Sequence, residues 1–199
     1  KELSSAVFSA STWRPDDLAI PAAGVMTLDG SFIARAVERI DAVKIHFAQG
    51  SLARQDISAI FLRPLSIVAA KKLHEKSGGA LLMDGAFTEG KLLALNDQFV
   101  TVSSILFGLK KYSYGGEAVA VVFKPASGPA PRRLFKLRDG SRLYAEKFLL
   151  KGKQIIFPDP PFNSFAVPFS EVAELINGPQ PNLLQAAETR WENYSPAGQ

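Results

Sequence analysis

Apolar and polar residues alternate along most of this chain, in short runs separated by glycine, proline and polar turns. In "VKIHF", 43–47, three apolar residues fall on one face of an extended strand, and Lys44 and His46 fall on the other. Alternation with a period of two is typical of strands that bury one face. The pattern therefore predicts a protein built mainly of short β-strands.

The dipeptide Asp-Gly occurs at three equally spaced places, each between two apolar runs. The pairs are Asp29-Gly30, Asp84-Gly85 and Asp139-Gly140, with 55 residues from one to the next. An example is "LFKLRDGSRLYAEKF", 134–148. Both residues tolerate positive φ, so the dipeptide suits the tight turn of a hairpin. We predict three hairpins at corresponding places in a repeated unit.

The same landmarks follow each Asp-Gly pair. A second apolar run, a polar turn and a third apolar run lead to a closing phrase with an acidic residue followed by apolar ones. The three phrases are Asp56–Ile60, Glu117–Val121 and Glu171–Leu175. Because the same landmarks follow each of the three Asp-Gly pairs, we predict a triplicated unit over 23–64, 79–125 and 131–179. These ranges are called below the first, second and third segments.

A unit of this length with five short strands closes most simply as an SH3-like or Sm-like barrel. In such a barrel one turn of 3₁₀ helix precedes the last strand, and we expect the acidic residue of the closing phrase to cap it. A barrel this small is marginally stable alone, and packing in tandem would bury additional surface. The predicted fold is therefore all-β, with three tandem SH3-like or Sm-like barrels and a short C-terminal helix.

Four stretches lie outside the repeated units. Residues 1–22 are expected to form a lead-in strand or an arm over a sheet edge. The connector 65–78 reads as a short helix or an extended strand, and Ser66-Ile67-Val68 favours the extended form. Residues 126–130, "ASGPA", form a short stiff linker. Residues 180–199 hold the predicted helix, with Asn182 as its N-cap, and a frayed tail.

Composition narrows the choice of function only slightly. An apolar fraction of 47% with 21% charged residues is typical of folded protein. The chain has no cysteine, which excludes disulfides, thiolate metal sites and a cysteine nucleophile. The net charge of +4 is spread along the chain and is weak support for nucleic-acid binding. No apolar run reaches the ~18–20 residues of a membrane span.

The order of strand, Asp-Gly-Ser, strand, polar turn, strand, Gly or Pro and then Val-x-x-Ile resembles a known kind of repeat. It is similar to the tandem small β-barrel repeats of large exported bacterial proteins, found beside NPCBM-type candidate carbohydrate-binding modules. The resemblance implies a non-catalytic structural or binding module, exported to the periplasm or outside the cell. It implies a protein or carbohydrate partner at the cell surface and no cofactor. The third segment departs from the pattern, because "PDPPFNSFAVPF" replaces a turn that contains glycine.

Aromatic residues near polar groups are the best candidates for a ligand-binding surface. Tyr112 and Tyr114 follow two lysines in the second segment, and Phe162, Asn163 and Phe165 lie on the proline-rich loop of the third. Exposed rings flanked by hydrogen-bonding groups suit carbohydrate. The alternative for Phe162 and Phe165 is that both rings fill the end of the barrel.

Nucleic acid is the main alternative ligand, because basic residues interleaved with aromatic ones suit an oligonucleotide. The same residues also suit the solvent face of a strand. The basic candidates are Lys110, Lys111, Arg132, Arg133, Lys136, Arg138 and Arg142.

A catalytic or metal site has little support in the sequence. The repeated Asp29, Asp84 and Asp139 are explained by the turns, and the acidic residues of the closing phrases by capping or solvation. His46 and His74 are the only histidines, and their spacing leaves a His–carboxylate–Ser hydrolase open. No nucleophile elbow, HExxH, P-loop or dinucleotide-binding turn is present. We therefore predict no catalytic residue, no metal and no cofactor.

Overall fold

The computed structural model describes residues 20–41, 43–48, 50–74, 76–96, 98–126, 133–163 and 165–176. The described chain is mostly β-structure with one α-helix, α1, at Ile67–His74. The strands of the first segment are β1 Gly24–Thr27, β2 Phe32–Ile33, β3 Arg39–Ile40, β4 Lys44–Phe47, β5 Gly50–Ala53 and β6 Ile57–Phe61. Those of the second are β7 Gly79–Leu82, β8 Phe87–Glu89, β9 Lys91–Leu95, β10 Phe99–Ser104, β11 Gly108–Ser113 and β12 Ala118–Val122. Those of the third are β13 Arg133–Leu137, β14 Arg142–Ala145, β15 Leu149–Lys151, β16 Gln154–Phe157, β17 Phe165–Pro168 and β18 Val172–Ile176.

Nine of these strands form one antiparallel sheet, in the order β18-β13-β14-β2-β1-β6-β12-β7-β8. Each segment supplies its last, first and second strands as three neighbours. The first and third segments meet through their second strands, β2 and β14, and the first and second segments meet through their last strands, β6 and β12.

The middle three strands of each segment form a small antiparallel sheet of their own: β3-β4-β5, β9-β10-β11 and β15-β16-β17. The predicted all-β character is confirmed. The predicted closure is not, since none of the sheets in the described residues closes into a barrel. The first, second and last strands of each segment instead join the shared sheet, where pairs between segments form at β2 with β14 and at β6 with β12. An SH3-like or Sm-like relationship stays a prediction.

The three Asp-Gly turns have the same hydrogen bonds. The glycine N–H donates to the carbonyl three residues earlier, and the aspartate Oδ1 accepts from the N–H two residues later. The glycine distances are 3.0, 3.0 and 3.1 Å, and the aspartate distances are 3.1, 2.9 and 2.8 Å. Gly30, Gly85 and Gly140 have φ of 84°, 86° and 91°, a left-handed conformation that glycine adopts readily. The recurring Asp-Gly pairs therefore form one kind of turn three times.

The closing phrases also play a repeated part. The carbonyls of Asp56, Glu117 and Glu171 accept hydrogen bonds of 2.8, 2.9 and 2.8 Å from the residue before each Asp-Gly. Turns of 3₁₀ helix at 54–56 and 169–171 precede β6 and β18, as expected. The expected acidic caps are wrong, because neither turn has a side-chain cap hydrogen bond and the acidic residue ends the turn. Its main-chain carbonyl is the group that holds the Asp-Gly hairpin.

The two faces of the nine-stranded sheet carry separate apolar clusters. Ile60 and Val121 pair across β6 and β12 and face a large cluster that includes residues of all three small sheets. The neighbouring pair Phe61 and Ala120 faces a second cluster on the opposite side. The three small sheets therefore share one continuous core with one face of the large sheet.

The connector is a helix, and the preference for an extended connector was wrong. Ser66 Oγ accepts a hydrogen bond of 3.3 Å from Ala69 N–H, the interaction of an N-cap. Leu73, 5% exposed, belongs to the same apolar cluster as Phe61 and Ile20. The helix thus helps to cover the second face of the sheet, and every residue of β6 and β12 is buried. The predicted C-terminal helix and most of the N-terminal arm and the 126–130 linker lie outside the described residues.

Candidate functional site

A cleft of about 910 Å³ opens between the first and second segments. The first segment lines it with Val43, just before β4, and with Ala53 and Arg54, at and just after the end of β5. The second segment lines it from β8 and β9, the β10–β11 turn and the residues after β12. The cleft therefore requires both segments and would be absent from either alone.

Cationic side chains predominate among the charged residues that line the cleft. Arg54, Lys91 and Lys124 are there, with Glu89 as the carboxylate. The Glu89 carboxylate lies 3.9 Å from the ammonium of Lys76, which offsets its charge. The charge of the cleft is therefore positive, and it favours an anion.

Neighbouring groups fix the position of the Arg54 guanidinium and of the backbone at Lys124. The Arg54 guanidinium lies over the ring of Phe123, 5.3 Å from its centroid, and the Arg54 N–H donates to the Val43 carbonyl at 2.7 Å. Ser58 on β6 accepts from Phe123 N–H at 2.8 Å through its carbonyl, and its hydroxyl donates to the Lys124 carbonyl at 2.7 Å. The backbone that carries Lys124 is thus attached to β6, and Phe123 supplies an apolar surface under Arg54.

The turn between β10 and β11 adds an exposed apolar edge to this cleft. Ile105, Leu106 and Phe107 are 101%, 84% and 60% exposed, and Leu109 is 68% exposed. Ile105 also lines the cleft. We call residues 105–109 the hairpin tip. Apolar side chains this exposed and contiguous are uncommon on a monomeric surface and mark contact sites.

The two candidate tyrosines lie on or beside β11 and point partly inward. Tyr112 is half-buried, and its hydroxyl lies 2.7 Å from Thr88 Oγ1, which joins the second small sheet to β8. Burial raises the pKa of Tyr114 to about 12. Neither tyrosine lines the cleft.

The proline-rich loop of the third segment turns its two phenylalanines inward. Phe162 and Phe165 are 3% and 7% exposed, with ring centroids 6.1 Å apart. Phe157 lies 5.5 Å from Phe162 in the same cluster. This burial supports the alternative in which both rings are core residues. Asn163 is exposed, with a φ of 47°, and the loop places it in a different segment from the tyrosines.

His46 forms a surface pair with Asp41 and does not reach the cleft lining. Its Nε2 lies 2.7 Å from Asp41 Oδ2. The His46 hydrogen bond, followed by the backbone N–H groups of Lys44 and Val43, holds the pKa of Asp41 well below its usual range. Asn96 accepts the same two backbone hydrogen bonds in the second segment, so Asp41 is explained as a turn residue.

The described residues contain no cluster of three or more His, Cys, Asp or Glu side chains that could hold a metal ion. Within the same part of the chain, no helix has the length and apolar character needed to cross a bilayer. The side chain of His74 is outside the described part.

Comparisons with protein-family models, with curated proteins and with solved structures find no match to this chain. We therefore infer a function from the geometry of the cleft and the hairpin tip.

Proposed function

We propose that this chain is a non-catalytic binding module that holds an anionic ligand in the cleft between its first and second segments. The observation that carries the proposal is the set of three cations, Arg54, Lys91 and Lys124, around an apolar wall. A cleft of about 910 Å³ has the size of a small-molecule or oligomer site.

The chemistry of the lining favours recognition. An Arg guanidinium presents several N–H donors in a rigid plane that matches carboxylate, sulfate and phosphate groups. The stacking of Arg54 on Phe123 restricts the guanidinium before a ligand arrives, which lowers the entropic cost of binding. Lys91 and Lys124 are exposed and supply further charge without a fixed geometry.

The ligand class that we propose is an acidic carbohydrate at a bacterial cell surface. The resemblance to repeats of exported proteins supports this choice, and the cationic cleft adds the requirement for negative charge. An oligonucleotide is less favoured, because the ring of Phe99 on β10 is covered by the ammonium of Lys111, which lies 3.7 Å from the ring centroid. A base would have to displace that lysine to stack there.

Binding of an acidic oligosaccharide, measured by calorimetry beside a neutral oligosaccharide of equal length, tests the proposal. We expect binding of the acidic one only, weakened about tenfold by Arg54→Gln and by Lys124→Gln. Lys153→Gln is the matched control and should leave affinity unchanged, because Lys153 is exposed in the turn between β15 and β16 of the third segment.

Three results would contradict the proposal. Equal affinity for neutral and acidic sugars would show that the cations do not select the ligand. An equal loss with Lys153→Gln would show diffuse attraction without a site. Tighter binding of a single-stranded oligonucleotide, with a steep dependence on salt, would favour the nucleic-acid alternative.

A further inference from the structure

We infer that the hairpin tip, residues 105–109, inserts into the interface of an anionic lipid bilayer. This inference concerns a surface next to the cleft and goes beyond the binding of an anionic ligand. It rests on the exposure of the tip, on its rigid support and on the charges that flank it.

The tip concentrates apolar surface, most of which stays exposed in the folded chain. Ile105, Leu106 and Phe107 occupy the turn itself, and the sequence from 99 to 109 contains no charged residue. The other exposed leucines described in the chain include Leu149 and Leu150, which lie along a strand. The tip therefore differs from them in being an uncharged turn that projects at the end of a hairpin.

The hairpin holds the tip outward. Strands β10 and β11 pair over six residues in unbroken register, from Phe99 with Ser113 to Ser104 with Gly108. Val100 and Val102 are fully buried in the large core and anchor β10. Gly108, with a φ of 67°, allows the chain to turn back at once. A support of this kind presents the three apolar side chains together and prevents them from folding onto the protein.

The charges beside the tip complement an anionic surface. Lys110 and Lys111 follow the tip on β11, and Lys91 lies opposite Ser103 on β9. All three are exposed. The carboxylate of Glu117, at the far end of β11, accepts hydrogen bonds from Ser113. Apolar side chains flanked by basic ones are the composition that binds at the headgroup region of anionic membranes.

A bilayer fits the shape of the tip better than a folded protein does. A protein partner would need a pocket shaped for three large side chains, because specific interfaces match in shape. A bilayer accepts a projecting apolar turn without such a pocket, and its anionic headgroups would meet Lys91 and Lys110 beside the tip. We therefore assign the tip to an anionic phospholipid surface.

Co-sedimentation of the full chain with vesicles of phosphatidylglycerol and phosphatidylcholine in equal parts tests the inference. We expect binding to these vesicles and much weaker binding to pure phosphatidylcholine. Leu106→Ser and Phe107→Ser should each lower the partition coefficient about tenfold. Lys110→Gln should lower it about fivefold on the anionic vesicles. Leu150→Ser is the matched control, since Leu150 is 66% exposed beside Lys151, and should have no effect.

A second measurement reports insertion directly. The chain has no cysteine, so Leu106→Cys and Lys153→Cys each create a unique site for an environment-sensitive dye. We expect the dye at 106 to shift to the blue on anionic vesicles, and to be quenched by spin-labelled lipid. The dye at 153 should not respond.

Several outcomes would overturn the inference, and each is distinct from failure of the cleft proposal. The first is that the chain does not bind anionic vesicles at low salt. The second is that binding depends on the lysines but not on Leu106 and Phe107. The third is that Leu150→Ser lowers the partition coefficient as much as the substitutions in the tip do. A dimer in solution that Leu106→Ser dissociates would assign the tip to a second copy of the chain. Arg54→Gln, which tests the cleft, should leave vesicle binding within about twofold.

Discussion

Arg35 connects the first and third segments at the level of a single side chain. Its guanidinium lies 3.3 Å from Glu171 Oε2 and 3.6 Å from Asp139 Oδ2, and it lies over the ring of Phe165 at 5.2 Å. The side chain is 15% exposed, so these contacts are only partly screened by water. The acidic residues of an Asp-Gly turn and a closing phrase thus also bind a cation from another segment.

We expect Arg35→Ala to lower the free energy of unfolding by about 1–3 kcal/mol, because it removes charged hydrogen bonding and packing together. Arg35→Lys should recover part of the loss, since an ammonium cannot reproduce the planar contacts. Urea denaturation measures both. Arg39→Ala is the control, because Arg39 is 71% exposed and meets Asp41 at 3.8 Å, and it should change stability by less than about 0.5 kcal/mol. Equal effects of the two substitutions would show that the burial of Arg35 has no energetic role.

Asp41 provides a prediction of pH dependence. Its pKa is lowered in the folded protein, first by His46 and then by two backbone N–H groups. The unfolded state therefore takes up the proton first as the pH falls. The stabilisation by Asp41 is present above about pH 4 and is lost below it.

Asp41→Asn should keep the turn, since Asn96 accepts the same backbone hydrogen bonds in the second segment. We expect the difference in unfolding free energy between the natural chain and Asp41→Asn to shrink as the pH falls below about 4. Urea midpoints measured at neutral and at acidic pH give this difference. A difference of the same size at both would contradict a role for the charged carboxylate.

At the level of the elements, the residue that follows each Asp-Gly pair differs between the segments whose second strands pair with a neighbour and the segment whose second strand lies at the edge of the nine-stranded sheet. Ser31 Oγ accepts a hydrogen bond of 2.8 Å from Tyr144 N–H, and Ser141 Oγ accepts one of 2.9 Å from Ala34 N–H. These reciprocal bonds hold β2 against β14. The corresponding residue of the second segment is Ala86, and its strand β8 lies at the edge of the sheet.

Ser31→Ala and Ser141→Ala should each lower the free energy of unfolding by about 1–3 kcal/mol, because each leaves a backbone N–H without its partner at a buried seam. Ser31 and Ser141 are 0% and 1% exposed. Ala86→Ser is the matched control at the free edge and should be nearly neutral. Chemical denaturation of the three variants measures the differences. If Ala86→Ser lowered the free energy of unfolding as much as the other two substitutions do, the contact between β2 and β14 would not be the source of the serines' effect.

Helix α1 offers a second test at this scale, because one of its faces covers the sheet and the other faces solvent. Leu73→Ala should cost about 2–4 kcal/mol, since Leu73 is 5% exposed against the second apolar cluster. Val68→Ala on the same helix should be neutral or slightly stabilising, because Val68 is 66% exposed and alanine is the better helix former. Thermal denaturation compares the stabilities of the two variants. Similar losses of stability would contradict the packing of one helix face on the sheet.

Local chemistry explains how much of this fold the sequence could predict. The Asp-Gly turns and the alternating strands depend on residues a few positions apart, and both were predicted. The helix was one of two forms predicted for the connector, and the extended form was preferred because Ile67 and Val68 favour strands. The N-cap interaction of Ser66 favours the helix. The shared sheet was missed because seams such as Ser31–Tyr144 join residues far apart in sequence.

The candidate site shows the same limit. Arg54, Lys91 and Lys124 come from three separate places in the chain, and only the fold brings them to one cleft. The predicted aromatic residues were chosen by type, and alternation could not tell which rings face inward on an irregular loop. A readable signal did exist for the hairpin tip, in the uncharged run that ends at Leu109 before two lysines.

For the whole molecule, one continuous core joins the three segments and should make them unfold together. The large cluster includes Ile45 of the first small sheet, Val100 of the second and Ile155 of the third. Small β-units that share most of their buried surface lose stability together when one is weakened. The segments are therefore expected to behave as one cooperative unit, despite their repeated strand order.

Ile155→Val tests this cooperativity, because it removes one methylene from a residue that is 2% exposed and should leave the protein folded. We expect a loss of about 0.5–1.5 kcal/mol in the free energy of unfolding. Amide hydrogen exchange, followed by mass spectrometry of peptides from β6, β12 and β16, should report the same loss in all three segments. A loss confined to β15–β17 would show that the third segment opens independently, and the shared core would then not couple it to the cleft.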